Sequence, residues 1–410
     1  MPTLEPHRLP ATEIVRRIEA GTLTAERVVA SCLERIADRD PVVRAWCHLE
    51  RQAALAAAQA YDRKGGDCLL RGLPFGLKDI FDSADMPASY GSPIYAGWRP
   101  ATDASAAALP RAAGGILLGK TMTTEFASRH PAATTNPVDP DFSPGGSVIR
   151  PAAYCGVVGF KPSFGLFPPA GMRANTEALD TVGLMTRSVA DVALFRAAMM
   201  AIPYTPPVPP ERPPRLALCR TPHWDEALPE GRRTLESAAE RLAAAGAAVI
   251  ETALPNGCGN LQTIHRTLAR FESPRNLAAE LARHAALLSP VMREQIIATG
   301  RTISLDDFRT AQAGAERARL AAADWAHEFD AVLTLPAPGQ APRGLAETGP
   351  PTFNYLWTLL YMPCITLPAG HGPDGLPVGI QLVARRHRDA ALLNVASWVE
   401  RRLDDAGAAS

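Results

Sequence analysis

A serine stands behind two glycines in Pro144-Gly145-Gly146-Ser147, and three residues further on comes Arg150, followed by Pro151. Glycines at such a place let backbone N–H groups approach a developing oxyanion, and a serine hydroxyl becomes a nucleophile once a neighbouring base removes its proton. No histidine lies near Ser147 along the chain. The unusual candidate base is Lys78, whose neighbours Phe75, Leu77, Ile80 and Phe81 form an apolar stretch where an amine is costly unless neutral or paired. Desolvation that lowers a lysine pKa from about 10.4 toward neutrality would fit it for general-base work. On an extended strand Asp79 points to the face opposite Lys78. On these residues alone the G-G-S is either an active-site turn or an ordinary turn, and Lys78 either a base or a structural residue.

The elements that must position these residues are legible as patterns. Residues 72–80 read as a short apolar strand, and 103–113 as a helix that Pro110 kinks or ends early, feeding a strand at 115–119. Two amphipathic helices, 12–20 and 24–37, open an N-terminal helical region at 9–60; Gly21 stops the first and Thr24 caps the second. Farther on, strand 215–219, helix 232–245 and strand 247–253 make a βαβ pattern that implies parallel pairing. Another strand spans 330–335, and 363–368 with 377–384 reads as a hairpin before a helix at 389–403. The proline-rich stretch 202–214 is stiff and extended, and the same α/β texture on both sides reads as a surface connection inside one fold.

Bulk properties narrow the partners. A 47% hydrophobic content with 20% charge suits a globular chain, and no apolar run reaches the roughly 18 to 20 residues of a membrane span. Lys plus Arg equals Asp plus Glu at 42 each, which leaves no electrostatic footprint for nucleic acid and points to a small-molecule ligand. The seven scattered cysteines lack a C-x-x-C pair, and the N-terminus lacks a signal-peptide pattern; a reducing, cytoplasmic setting is expected. The nine histidines show neither H-x-H nor H-E-x-x-H spacing, so no catalytic metal is expected.

Gly72-Leu73-Pro74-Phe75-Gly76-Leu77-Lys78-Asp79, Leu118-Gly119-Lys120-Thr121, Asn136-Pro137, Ser143-Pro144-Gly145-Gly146-Ser147 and Cys155-Gly156-Val157-Val158-Gly159-Phe160-Lys161-Pro162 together resemble the amidase signature family. Asp180-Thr181-Val182-Gly183 and Gly379-Ile380-Gln381-Leu382-Val383 extend the resemblance over nearly the whole chain. It implies one amidase domain across 1–410 with a signature core at about 65–200. The implied fold is α/β, a single large domain with a mixed, mostly parallel, twisted sheet flanked by helices. The implied chemistry is hydrolysis of the C–N bond of a small linear amide or ureide by a Ser/cis-Ser/Lys triad without a cofactor, with a homodimer as a compatible assembly. Carried over by motif, Lys78 is the general base, Ser147 a triad serine, Gly145 and Gly146 oxyanion donors, and Arg150 a position that in some members contacts a substrate carboxylate. For Arg150 a structural salt bridge is the plainer reading. Lys120 and Lys161 read as structural, and Tyr355, Trp357 and Tyr361 as pocket lining or core.

One departure bears on all of this. The family carries two G-G-S elements, the first supplying the bridging cis-serine and the second the nucleophile; this chain has one. Ser143-Pro144-Gly145-Gly146 matches the first and Val148-Ile149-Arg150-Pro151 the second, as though the helix and strand between them were excised at the 147/148 junction. Ser147 is therefore either bridge or nucleophile, and as bridge it implies a cis Gly146–Ser147 bond. The alternatives to a working amidase are an amidase-fold binding protein or inactive variant, and an amidotransferase subunit that passes ammonia to a partner.

Overall fold

A computed structural model describes residues 5–146 and 148–407. The N-terminal region holds α1 (Ala11–Glu19), α2 (Ala25–Val43), β1 (Trp46–Leu49) and α3 (Arg51–Lys64). Thr24 caps α2 by accepting the Arg27 N–H at 3.2 Å, as the sequence predicts. The central region contributes β2 (Pro74–Lys78), α4 (Ser105–Ala112), β3 (Ile116–Thr121), α5 (Ile149–Tyr154), β4 (Val158–Lys161), β5 (Leu184–Thr186) and α6 (Val189–Met200). Pro110 sits inside α4, which ends two residues later. At the start of α6 the Asp191 carboxylate accepts the Thr12 N–H at 2.9 Å and its hydroxyl at 3.0 Å, fastening the first helix to the body.

Beyond the proline-rich connection come β6 (Arg215–Leu218), α7 (Pro229–Ala244), β7 (Ala248–Glu251), α8 (Leu261–Asn276), α9 (Ala278–Arg283), α10 (Leu305–Ala326) and β8 (Ala331–Thr334). The chain closes with α11 (Tyr355–Leu359), β9 (Cys364–His371), β10 (Pro377–Val383) and α12 (Asp389–Gly407). The strands form two sheets, ordered β1-β3-β2 and β5-β4-β9-β10-β8-β6-β7. One apolar core runs through both: Phe75 and Leu77 of β2 belong to the same buried cluster as Phe160, Leu184, Leu216, Ile380 and Leu392. That shared core makes the chain one large α/β domain, with residues from both sides of the connection inside it.

The pairing corrects one part of the expected architecture. Among the described residues only β2 with β3, β6 with β7 and β6 with β8 are parallel, whereas β1/β3, β4/β5, β4/β9, β8/β10 and β9/β10 are antiparallel. The sheet is mixed, but not mostly parallel. The cause is the β9–β10 hairpin, which lies between β4 and β8 in the middle of the larger sheet and imposes antiparallel contacts on both flanks. Among the described residues the strands also do not form one continuous sheet: β2 is an end strand of the smaller sheet and β5 of the larger. Among the described residues no helix is long and apolar enough to cross a membrane.

Candidate active site

Lys78 closes β2. Phe75 and Leu77 bury one face of the strand, while Lys78 lies half-buried on the other with Pro74 and Gly76. Burial pulls its amine below the ordinary lysine value of 10.5, and the Asp180 carboxylate partly offsets that pull. Asp180 is itself raised by burial and held down by the N–H groups of Thr176 at 3.0 Å and Asn175 at 2.7 Å, and by Lys78. The segment carrying Asp180 is laced to the chain beyond β2: Arg173 N–H donates to Ile80 O at 2.9 Å, and Met172 bridges Phe81. The carboxylate is thus delivered by backbone hydrogen bonds to the neighbourhood of the amine.

Asp79 points the other way, as expected. Its carboxylate lies 3.1 Å from the Lys120 amine and accepts the Ser89 N–H at 3.0 Å and hydroxyl at 2.5 Å. Lys120 is fully buried, and the pair bolts β2 to β3. Lys161 is structural too, donating to the carbonyls of Met362 at 2.6 Å and Pro162 at 3.2 Å.

Ser147, the serine of the motif, lies outside the described residues, as does its bond to Gly146; the turn that leads to it and the helix that follows are described. Gly145 has φ 89°, and a Cβ there would come 3.0 Å from Pro151 Cα, so the glycine serves a left-handed turn pressed against the start of α5. The Gly145 N–H donates to Ser143 Oγ at 3.2 Å, so this predicted oxyanion donor already has an acceptor. Asn136 secures the turn by donating to Tyr154 O at 3.0 Å and Ser143 O at 3.4 Å.

Arg150 is 4% exposed and makes no ion pair among the described residues, which corrects the salt-bridge reading. Its guanidinium donates to Gly349 O at 2.7 Å and to Thr348 Oγ at 3.3 Å, and its Nε has no partner among the described residues. A Cβ on Gly146 would meet its Nη2 at 3.0 Å, so the cation adjoins the G-G-S turn. Burial lowers it, with Arg129 adding to the effect.

Trp357 and Tyr355 are buried rather than lining an open pocket; the Tyr355 hydroxyl bonds His223 Nε2, whose Nδ1 lies 2.8 Å from Glu226. Tyr361 stacks on Phe164 with 4.1 Å between ring centroids. Sequence reading passed over Asp180 as a charge partner because its only signal is membership of the Asp180-Thr181-Val182-Gly183 block. His265, Arg266 and Arg270 on α8 carry no motif at all. Among the described residues no group of three or more His, Cys, Asp or Glu side chains is arranged to hold a metal ion.

A family model described as Amidase matches residues 27–148 and again 143–393, so the two matches share the residues around the junction. The A-subunit of the glutamyl-tRNA(Gln) amidotransferase of Chloroflexus aggregans is 30% identical, covering 98% of this chain and 97% of that one. That alignment runs over 477 positions, more than this chain's 410 residues, so the relative contains internal positions that this chain lacks. The protein of the same description from Myxococcus xanthus is also 30% identical, over 97% of each chain. Among solved structures, the native peptide amidase of Stenotrophomonas maltophilia superimposes with a TM-score of 0.81 at 26% identity and covers 98% of both chains.

Proposed function

This chain belongs to the amidase signature family of Ser/cis-Ser/Lys amide hydrolases, and from that premise we propose that it is an amidotransferase-type amidase subunit, releasing ammonia from a primary carboxamide for use by a partner chain. The observation that carries the reading is the near end-to-end relation to amidotransferase A-subunits at 30% identity. In the proposed reaction the neutral amine of Lys78 takes the proton of a serine hydroxyl, directly or through a bridging serine. The serine oxygen adds to the carboxamide carbon, the C–N bond breaks as the nitrogen is protonated by Lys78, and ammonia leaves. Water then cleaves the acyl ester and returns the serine. Ser147 is the proposed triad serine, whether as nucleophile or bridge. Because the Gly145 N–H is engaged by Ser143, the oxyanion donor proposed from the turn is Gly146. Arg150, buried beside Gly146 without a carboxylate partner among the described residues, is proposed to face the substrate. The proposed setting is cytoplasmic and the reaction needs no cofactor.

A second reading, a free-standing hydrolase of small linear amides, is favoured by the full-length structural match to a peptide amidase that carries 26% identity. Ammonia release from a panel of primary amides, with and without added candidate amidotransferase partner subunits, separates the two. Release that rises about tenfold or more with a partner supports the amidotransferase reading; equal release in both supports the hydrolase. No release in either condition, with no adduct at Ser147 from a serine-reactive phosphonate, overturns both in favour of a binding protein.

A further inference from the structure

Helices α8 and α9 direct four polar side chains at one distant stretch of chain, residues 173–178. The Ser273 hydroxyl donates to Asn175 Oδ1 at 2.5 Å, and the Asn276 side-chain amide donates to Asn175 O at 3.1 Å. Glu272 accepts the Ala178 N–H at 3.0 Å. The Arg173 guanidinium donates to Asn276 O at 3.0 Å and pairs with Glu280, which also accepts the Tyr95 hydroxyl. Ser273 and Glu280 are 2% and 1% exposed, so these hydrogen bonds replace those lost from water, and deleting one partner leaves a buried polar group unsatisfied.

Both ends of the gripped stretch are tied to the candidate base. On its N-terminal side the Asp82 N–H donates to Gly171 O and the Arg173 N–H to Ile80 O, each at 2.9 Å, an antiparallel pairing about Phe81 and Met172 that begins two residues beyond Lys78. Gly171 has no room to yield, since a Cβ there would lie 2.5 Å from Ala104 Cα. On its C-terminal side the Asn175 N–H donates to Asp180 at 2.7 Å, so the residue held by Ser273 and Asn276 itself holds the carboxylate. Apart from the bridge at Met172, residues 162–183 form neither helix nor strand. Rigidity that a ladder of their own would give must come from side chains of a neighbouring element, and α8 supplies them. Hydrogen bonds therefore run from α8 through Asn175 to Asp180, and through Arg173 to Ile80 and the end of β2.

We propose that Ser273 and Asn276 are positioning residues for Lys78, holding residues 173–180 so that the chain leaving β2 and the Asp180 carboxylate keep their places around the amine. The proposal rests on the reading of Lys78 as the base and adds the element that holds it. A general base works only within hydrogen-bond reach of the proton it takes, and misplacement by about 1 Å costs on the order of a hundredfold. Asp180 acts on the amine, Glu272 of α8 feels both Asp180 and Glu177, and Asp79 with Lys120 occupies the opposite face of the strand.

The test is the Ser273→Ala/Asn276→Ala double variant, read in two ways. In ammonia release from the panel of primary amides, butyramide among them, kcat should fall about tenfold or more while KM stays within about twofold. The second reading does not depend on turnover. The chain has four lysines, Lys64, Lys78, Lys120 and Lys161, so the side-chain NMR signal of Lys78 can be followed through a pH titration. Burial is the chief cause that holds its midpoint below 10.5, and loosening the stretch should move it up toward that value while Lys161 stays in place. Leu268→Ala, a cut into the apolar core on the same helix, is the comparison: it should lower the urea midpoint and leave both readings as they are. An unmoved or lowered Lys78 midpoint in the double variant overturns the proposal whatever the rate does, and so does a rise of equal size in Leu268→Ala. If the unmodified chain releases no ammonia, the amidase reading fails by itself and the Lys78 midpoint still decides the positioning. Should the double variant not fold, Ser273→Ala alone, which deletes a single oxygen, is read by the same rule.

Discussion

Lys78 and Asp180 show how two half-buried groups set each other's charge. The amine is lowered by burial and held up by the carboxylate. Only the neutral amine can accept a proton, so the rate should climb as pH rises through the folded pKa of Lys78, which lies below 10.5. Removing the Asp180 charge removes the group that favours the ammonium, so in Asp180→Asn the acid limb of kcat/KM against pH should move to lower pH. A limb that stays in place or moves upward would show that Asp180 does not act on the base. Linkage adds a stability term of defined sign. Below 10.5 and down to the folded pKa, the unfolded chain binds more protons at this lysine than the folded one, so its burial costs increasing stability as pH falls through that window.

Among the elements, β2 and β3 are joined by more than their ladder, because the Asp79–Lys120 pair lies between them with side chains 3% and 0% exposed. Breaking a buried pair strands the remaining charge, so Lys120→Met should cost about 3 to 5 kcal/mol in urea denaturation, whereas Asp79→Asn combined with Lys120→Met should cost less than the single change. A double variant as unstable as Lys120→Met would show that the pair holds the strands by packing instead of charge. The two strands were legible in the sequence, since their apolar runs are local, but the pair was not, because Lys120 meets Asp79 only after the strands associate. The same limit explains the hairpin. Its two strands were readable from residues 363–368 and 377–384, whereas its place between β4 and β8 depends on pairings with distant segments. Helix α8 was missed for a local reason: Pro274 and the arginines at 266, 270 and 275 obscure the apolar stripe of Leu261, Leu268 and Phe271.

At the scale of the whole molecule, we propose one cause for the single G-G-S and the divided sheet: a segment absent at the 147/148 junction. The family matches meet at residues 143–148, the amidotransferase relative aligns over more positions than this chain possesses, and the strands fall into two sheets whose ends are β2 and β5. Lys78 lies on β2, and the Ser147/Val148 junction immediately precedes α5 and β4, the strand that pairs with β5. In this proposal the segment supplies a strand that pairs with β2 and β5 and carries a second serine toward the amine. Inserting the corresponding segment of the Chloroflexus aggregans relative between Ser147 and Val148 should therefore do three things together. It should slow amide exchange in β2 and β5, raise the urea midpoint, and raise ammonia release by about a hundredfold or more. Stabilisation without a gain in rate would place the defect outside the serine. A gain in rate while β2 and β5 still exchange as edges would separate catalysis from sheet closure. If neither changes, the two sheets are the native architecture of this chain, and its chemistry must proceed with the serine it has.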